Sequence, residues 1–242
     1  MIKDNERIDE LNIKGYQLIQ DMNGFRFGMD AVLLTGFSRV KVGEKVLDLG
    51  TGTGVIPILL EAKYPGESYI GLEIQESFVD MANRSIELNQ IQDKVRIVHG
   101  DIKEADTLFP LSSFDVITSN PPYMDAGKGL TNPSSMKAIA RHEVLCDLDD
   151  VLRVAGRLLK VGGRFYMVHR PHRLMGILET MKKYQLEPKR IRMVHSHLDR
   201  EATMVLIEGV RQGKPMVKVE APLIIYGADG EYTQDVKGIY ES

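Results

Sequence analysis

Residues 45–54 read Lys-Val-Leu-Asp-Leu-Gly-Thr-Gly-Thr-Gly and constrain the fold more than any other stretch. A short, nearly continuous apolar run ends in glycines at alternate positions, and Val55 to Lys63 then has the pattern of a helix. Apolar runs of this kind belong to parallel strands buried on both faces. The alternation continues downstream. Strands are predicted at 68–73, 95–99, 114–119 and 164–168, with helices at 77–89, 148–159 and 172–184. Gly162-Gly163 is expected to stop the second of these helices. Residues 190–195 and 203–208 are expected to form a final antiparallel pair. The pattern predicts an α/β, Rossmann-like fold: a mostly parallel seven-stranded sheet with helices on both faces and an antiparallel final strand. Residues 45–210 form the expected core of a single domain. Residues 1–44 would be an appendage with an edge strand at 14–20 and a helix at 29–37. Residues 211–242 would be a second, with an apolar run at 223–226 before a turn at 227–230.

The glycine spacing narrows the ligand. A dinucleotide-binding loop has G-x-G-x-x-G, whereas Gly50, Gly52 and Gly54 give G-x-G-x-G. No Gly-Lys-Ser/Thr follows, so the loop is not a phosphate-binding P-loop. Glycine permits positive φ and close approach of a ligand to the backbone. Asp48, two residues earlier, disfavours a pyrophosphate and favours a cationic centre. Glu73 ends the second strand and Asp101 follows the third, so three acids stand at three successive strand ends. Each alone could cap a helix or hold a turn. Ligands in open α/β sheets bind at such carboxyl ends.

The loop with its acids resembles that of class I methyltransferases, which bind S-adenosylmethionine. The resemblance implies that Asp48 favours the cationic end of that cofactor, that Glu73 hydrogen-bonds the ribose and that Asp101 reads the adenine. Gly50, Gly52, Gly54, Ile74 and Ile102 are cofactor-binding positions on the same footing. The predicted fourth strand ends in Asn120-Pro121-Pro122-Tyr123. This tetrapeptide is similar to the signature of methyltransferases acting on planar nitrogens. An exocyclic amine shares its lone pair with its ring. Two acceptors, the Asn120 side-chain carbonyl and the Pro121 backbone carbonyl, could take both N–H bonds and aim the lone pair at the methyl group. Each proline fixes φ and stiffens the backbone, and Tyr123 offers a face for base stacking. The target base must leave any stack to enter.

Residues 6–11, 24–34 and 140–143 extend the resemblance over nearly the full length, to bacterial tRNA adenine-N6 methyltransferases that modify valine tRNA beside the anticodon. That family implies that Phe27, Gly28 and Asp30 line the methionine end of the cofactor site. The alternatives sharing the tetrapeptide are a protein glutamine-N5 methyltransferase, a guanine-N2 methyltransferase of ribosomal RNA and a DNA adenine enzyme. The first usually carries a larger N-terminal domain than the 44 residues here. A non-catalytic RNA-binding module is the alternative of another class.

Charge bears on the partner. Net charge is only −3, but residues 153–192 hold eleven Lys/Arg against two acids, leaving 20 bases and 32 acids elsewhere. A basic segment on an acidic body suits a phosphate-bearing substrate, here tRNA. Candidate RNA contacts are Lys128, Arg141, His142, Arg170, His172, Arg173, Lys189, Arg190 and Arg192. No metal site is expected: Cys146 is the single cysteine, and the histidine spacings lack partners. No G-x-S-x-G hydrolase elbow occurs. No apolar run approaches the ~20 residues that span a bilayer, and the polar N-terminus has no secretion-signal core. A cytoplasmic monomer is expected.

Overall fold

The structure, a computed structural model, describes residues 2–22, 27–121 and 147–241. Its central sheet is set by alternation within apolar strands. Val46, Tyr69, Val116, Tyr166, Val168 and Leu206 point to one face, and their neighbours Leu47, Ile70, Ile117, Phe165, Met167 and Ile207 to the other. Each face needs its own cover, because side chains alternate along a strand. Helices α1 (Met29–Phe37), α2 (Val55–Lys63) and α3 (Glu76–Leu88) cover the first face, together with the C-terminal α7 (Gln234–Glu241). Helices α4 (Ala105–Leu108), α5 (Leu148–Leu158) and α6 (Leu174–Lys183) cover the second.

The strands are β3 (Lys45–Leu49), β4 (Ser68–Glu73), β5 (Val95–His99), β6 (Phe114–Ser119), β7 (Leu159–His169), β8 (Leu186–His195), β9 (Ala202–Arg211), β10 (Lys218–Val219) and β11 (Leu223–Ile224). Their order is β10-β8-β9-β7-β6-β3-β4-β5, with β11 also on β8. Every pairing is parallel except those of β9 with β7 and β8. The chain runs outward from β3 through β4 to β5, then returns to place β6 on the other side of β3. The crevice at the carboxyl ends of β3 and β6 is therefore the topological switch point, where open α/β sheets bind ligands.

Several sequence expectations need correction. Among the described residues the sheet has nine strands, not seven, because β10 and β11 extend the β8 edge. Gly162-Gly163 does not stop α5. That helix ends at Leu158, and β7 starts at once from the extended Leu159. The glycines instead close an excursion within β7: Phe114 pairs Leu159 but Val116 pairs Arg164, and Gly162 sits at φ +79°. Pro171–Arg173 forms a 3-10 turn, so α6 begins at Leu174 rather than His172. The expected edge strand at 14–20 is β2 (Gln17–Asp21). It pairs with β1 (Glu6–Glu10), an acidic strand that the sequence pattern does not announce, in a separate two-stranded sheet.

That hairpin docks on α3. The Ile19 amide donates to Ser85 Oγ at 2.9 Å and the Gln17 amide to Asn89 Oδ1 at 2.8 Å. Arg84 forks onto Glu6 at 2.6 and 2.7 Å. At the other terminus, α7 packs on α1, with Ile239 against Gly36. No helix among the described residues is long and apolar enough to cross a membrane.

Candidate active site

The loop after β3 is held from the β4 side. The amides of Gly50 and Thr51 both donate to the Leu72 carbonyl at 3.0 Å. Gly50, Gly52 and Gly54 have φ of +71°, +56° and +80°, a region open to glycine and costly for other residues. A Cβ on Gly54 would come within 3.0 Å of Ala82, so this glycine also seats α2 against α3. A Cβ on Gly52 would meet nothing within 4 Å. The middle of the loop is thus open backbone.

The acids predicted from strand ends gather around this loop. Glu73, buried, accepts from the Gly52 amide through Oε2 and from the Gln75 amide through Oε1, each at 2.9 Å. It fixes the loop to the end of β4. Asp48 is fully buried. Its Oδ1 accepts from Thr118 Oγ1 at 2.6 Å, while Oδ2 is buried without a hydrogen-bond partner. Burial pushes the Asp48 carboxyl up to about 7, and the Glu73 charge adds to that. The nearby hydroxyls of Thr118 and Thr51 pull the other way. Two carboxyl groups thus stand at one loop, one of them carrying a buried oxygen without a hydrogen-bond partner. Asp101 accepts from the Lys103 amide at 2.9 Å and caps the 3-10 turn Ile102–Glu104. The Ile102 side chain reaches within 3.6 Å of where a Gly50 Cβ would stand. The Ile74 carbonyl bonds His99 Nε2 at 2.9 Å, tying the ends of β4 and β5 together.

Across the switch point, Ser119 Oγ donates to the Leu49 carbonyl at 3.0 Å and locks the end of β6 to β3. Sequence reasoning misses Thr118 and Ser119; their only signal is two hydroxyls at the end of an otherwise buried strand. Asn120 follows, and its Nδ2 donates to Asp30 Oδ2 at 2.9 Å. Asp30 Oδ1 accepts from the Ala31 amide at 3.0 Å in the first turn of α1. Gly28 packs against this carboxylate: a Cβ there would lie 2.6 Å from Asp30 Oδ1. Phe27 packs on the first-face core, and its amide donates to Gln20 Oε1 at 2.9 Å. Pro121 is partly buried at the end of the described segment; Pro122, Tyr123, Lys128, Arg141 and His142 lie outside the described residues.

The basic candidates divide. His172 and Arg173 are exposed just beyond the carboxyl end of β7, the strand next to β6. Arg170 donates to the Thr203 carbonyl at 3.0 Å. The preceding His169 is buried, and its Nδ1 accepts from the Arg170 amide at 2.8 Å. Burial, with the Arg173 charge, lowers it to about 4. Lys189, Arg190 and Arg192, expected as RNA contacts, each have partners within the protein. Arg190 bonds Glu208 at 2.6 Å and Glu220 at 3.4 Å, donates to the Phe37 carbonyl and lies 4.0 Å over the Phe37 ring. Arg192 bonds Asp235 at 2.8 Å, and Lys189 donates to the Lys214 carbonyl. These cations tie β8 to its surroundings.

Two clefts lie elsewhere and contain neither the glycine loop nor Asn120. One, of about 410 Å³, is lined by residues such as Lys14, Glu61 and Lys94; the other, of about 310 Å³, by Arg39, Arg190 and Asp235 among others. Among the described residues no cluster of three or more His, Cys, Asp or Glu could hold a metal ion.

Comparison with known proteins agrees with this geometry. The chain is 28% identical over 222 residues to a tRNA1(Val) (adenine(37)-N6)-methyltransferase of Aeromonas hydrophila, covering 91% of this chain and 90% of that one. It is 26% identical to the protein of the same name from Pedobacter heparinus, covering 93% of each. Among solved structures, a predicted O-methyltransferase from Agrobacterium tumefaciens superposes with a TM-score of 0.71 at 20% identity, over 88% of this chain and 95% of that one. A geranyl diphosphate methyltransferase solved in complex with SAM superposes with a TM-score of 0.54 at 19% identity, over 76% of this chain and 84% of that one. The family model described as "Methyltransferase domain" matches residues 40–214, from just before β3 to just after β9. The chain belongs to this methyltransferase family.

Proposed function

We propose that the protein is an S-adenosylmethionine-dependent methyltransferase that modifies the N6 amino group of an adenine in tRNA. The adenine beside the anticodon of valine tRNA, the site named for its relatives, is the expected target. The observation that carries the reading is the Asn120 carboxamide, bonded to Asp30 at the carboxyl end of β6, with the glycine loop on the adjacent strand.

The described residues fit the cofactor. The open backbone at Gly52, the orphaned Asp48 oxygen and the Glu73 carboxylate would hold a cationic, hydroxyl-bearing nucleoside. When bound, S-adenosylmethionine supplies an electrophilic methyl group on a sulfonium that departs as a neutral thioether. The protein's part is orientation and electrostatics. Asn120 Oδ1 accepts one N–H of the adenine amine, and the Pro121 carbonyl accepts the other. That pairing draws the nitrogen toward tetrahedral geometry and exposes its lone pair. As the N–C bond forms, positive charge grows on the nitrogen, and both carbonyl oxygens stabilise it. The methylated nitrogen then loses its proton to solvent, so no strong base is needed. Arg170, His172 and Arg173 lie one strand away and suit phosphates flanking the flipped base.

The test is transfer of labelled methyl from S-adenosylmethionine to total tRNA, ribosomal RNA, DNA and a protein release factor. Label should appear in tRNA as N6-methyladenosine. Asn120→Ala should lower kcat by about 10²–10³-fold, as loss of a group aimed at developing charge does, while cofactor binding persists. Label in ribosomal RNA or protein instead would overturn the substrate.

A further inference from the structure

We propose that Asp30 is a positioning residue for the reaction: it fixes the orientation of the Asn120 carboxamide so that Oδ1, and not the NH₂ group, faces the target amine. This rests on the reading of Asn120 given above. It differs from the role that family resemblance gives Asp30, at the methionine end of the cofactor.

A carboxamide has two faces, related by a half-turn about its terminal bond. In one the oxygen meets the substrate, and in the other the NH₂ does. Only the first can accept an N–H from an amine, and nothing within Asn120 selects it. An ionised carboxylate accepts hydrogen bonds and cannot donate them. Asp30 Oδ2 therefore takes the Asn120 NH₂ at 2.9 Å and would repel the oxygen of the turned amide. The same contact polarises the amide and strengthens its oxygen as an acceptor, as bonds in a chain do.

Asp30 is itself well fixed. Its Oδ1 accepts from the Ala31 amide at 3.0 Å. It stands in the first turn of α1, where the helix dipole favours negative charge. Gly28 leaves room for the carboxylate that a Cβ would take away. Phe27 is bonded to Gln20, whose amide in turn bonds Asp9. The β1–β2 hairpin thus supports the segment that carries Asp30, linking the N-terminal region to the acceptor residue.

A double-mutant cycle tests the proposal. Asp30→Ala should lower kcat by about 10–100-fold, with KM for tRNA and Kd for S-adenosylmethionine within about threefold of wild type. Asp30→Asn, which keeps an acceptor oxygen, should recover part of the loss. In an Asn120→Ala background, Asp30→Ala should cost less than about twofold, because two groups acting as one unit are not additive. The Asn120 side-chain NH₂ resonances of the cofactor-free protein should also shift in Asp30→Ala. Additive losses, an unmoved amide signal, or a large rise in cofactor Kd at unchanged kcat would overturn the proposal. If Asp30→Ala fails to fold, Asp30→Asn carries the cycle. Wild-type transfer to a substrate other than RNA would overturn the tRNA reading alone, and the cycle would be run on that substrate.

Discussion

On the β3–β4–β5 side of the switch point, the buried acids are tied to backbone amides and hydroxyls. Glu73 joins the glycine loop to β4, and Asp48 is held by Thr118 in a fully buried site. On the β6–β7 side, Asn120 is held by a residue from a distant helix, and His172 and Arg173 beyond β7 are exposed. The difference matches what each side would bind under the proposed function. A small ligand of fixed shape rewards a rigid cradle, since preorganised dipoles need no rearrangement when charge arrives. A polyanion is held by long side chains that track phosphates, and these work from the surface.

The sharpest way to break the comparison lies within the basic segment itself. If residues 153–192 formed one RNA surface, Arg190 and Arg173 would behave alike. The structure predicts that they do not. Arg190→Ala leaves Glu208 and Glu220 without their partner and strips the Phe37 carbonyl of a donor. It should cost about 2–4 kcal/mol of stability, read by denaturant unfolding, because breaking a largely buried pair strands charge. KM for tRNA in the folded protein should stay unchanged. A rise in KM at full stability would restore Arg190 to the RNA surface.

The next effect falls on the rigid side. Glu73→Ala frees the Gly52 and Gln75 amides and removes a carboxylate from the cradle. Hydrogen bonds to charged groups contribute about 1.5–3 kcal/mol. The S-adenosylmethionine Kd, measured by calorimetry, should therefore rise about 10–100-fold, with Glu73→Gln intermediate. An unchanged Kd would mean that the loop holds its shape without β4.

Asp48 gives the same side a pH signature. Its carboxyl is raised to about 7 by burial, so in the free protein it is half protonated near neutrality. A cationic ligand prefers the charged form. Cofactor affinity should fall by up to about tenfold per pH unit below 7, and Asp48→Asn should flatten that slope. Stability of the free protein runs the other way. With the folded value above the unfolded one, the contribution of Asp48 is full below the unfolded value near 3.8 and is lost as pH rises through about 7. A cofactor affinity that is flat from pH 6 to 8 would deny Asp48 its role.

What can be read from the sequence tracks locality. The glycine loop, β3 to β6, and the acids near the ends of β3, β4 and β5 depend on neighbours within a few residues: apolar alternation, glycine spacing, a carboxylate at or near the strand end. Helix α1 falls at its expected bounds for the same reason. The Asp30–Asn120 bond spans ninety positions and has no local signal. Nor does the capture of Arg190 by Glu208, Glu220 and Phe37, since a cation in a strand looks the same in the sequence whether it faces water or an acid from another segment. β1 escapes a sequence reading because Glu-Arg-Ile-Asp-Glu is polar. It is a strand because β2 offers a complete antiparallel register and Arg84 neutralises Glu6. Gly162-Gly163 misleads because glycine ends helices more often than it closes an excursion within a strand.

The smallest expected effect sharpens the other side of the comparison. Arg173 is exposed beyond β7, in the 3-10 turn that precedes α6. Arg173→Ala should leave unfolding and cofactor Kd at wild-type values. Binding to tRNA should weaken only about 3–10-fold, and similarly for all sequences, because a phosphate contact carries no base information. Its signature is in the salt dependence: the slope of log K against log salt should become shallower by about one for each phosphate that the variant no longer reaches. Arg190→Ala should leave that slope alone while lowering stability. The two variants remove the same charge from the same segment. Opposite readouts from them would establish that the RNA-facing cations are those at the carboxyl edge beside Asn120. Identical slopes in Arg173→Ala and wild type would place the tRNA elsewhere on the protein.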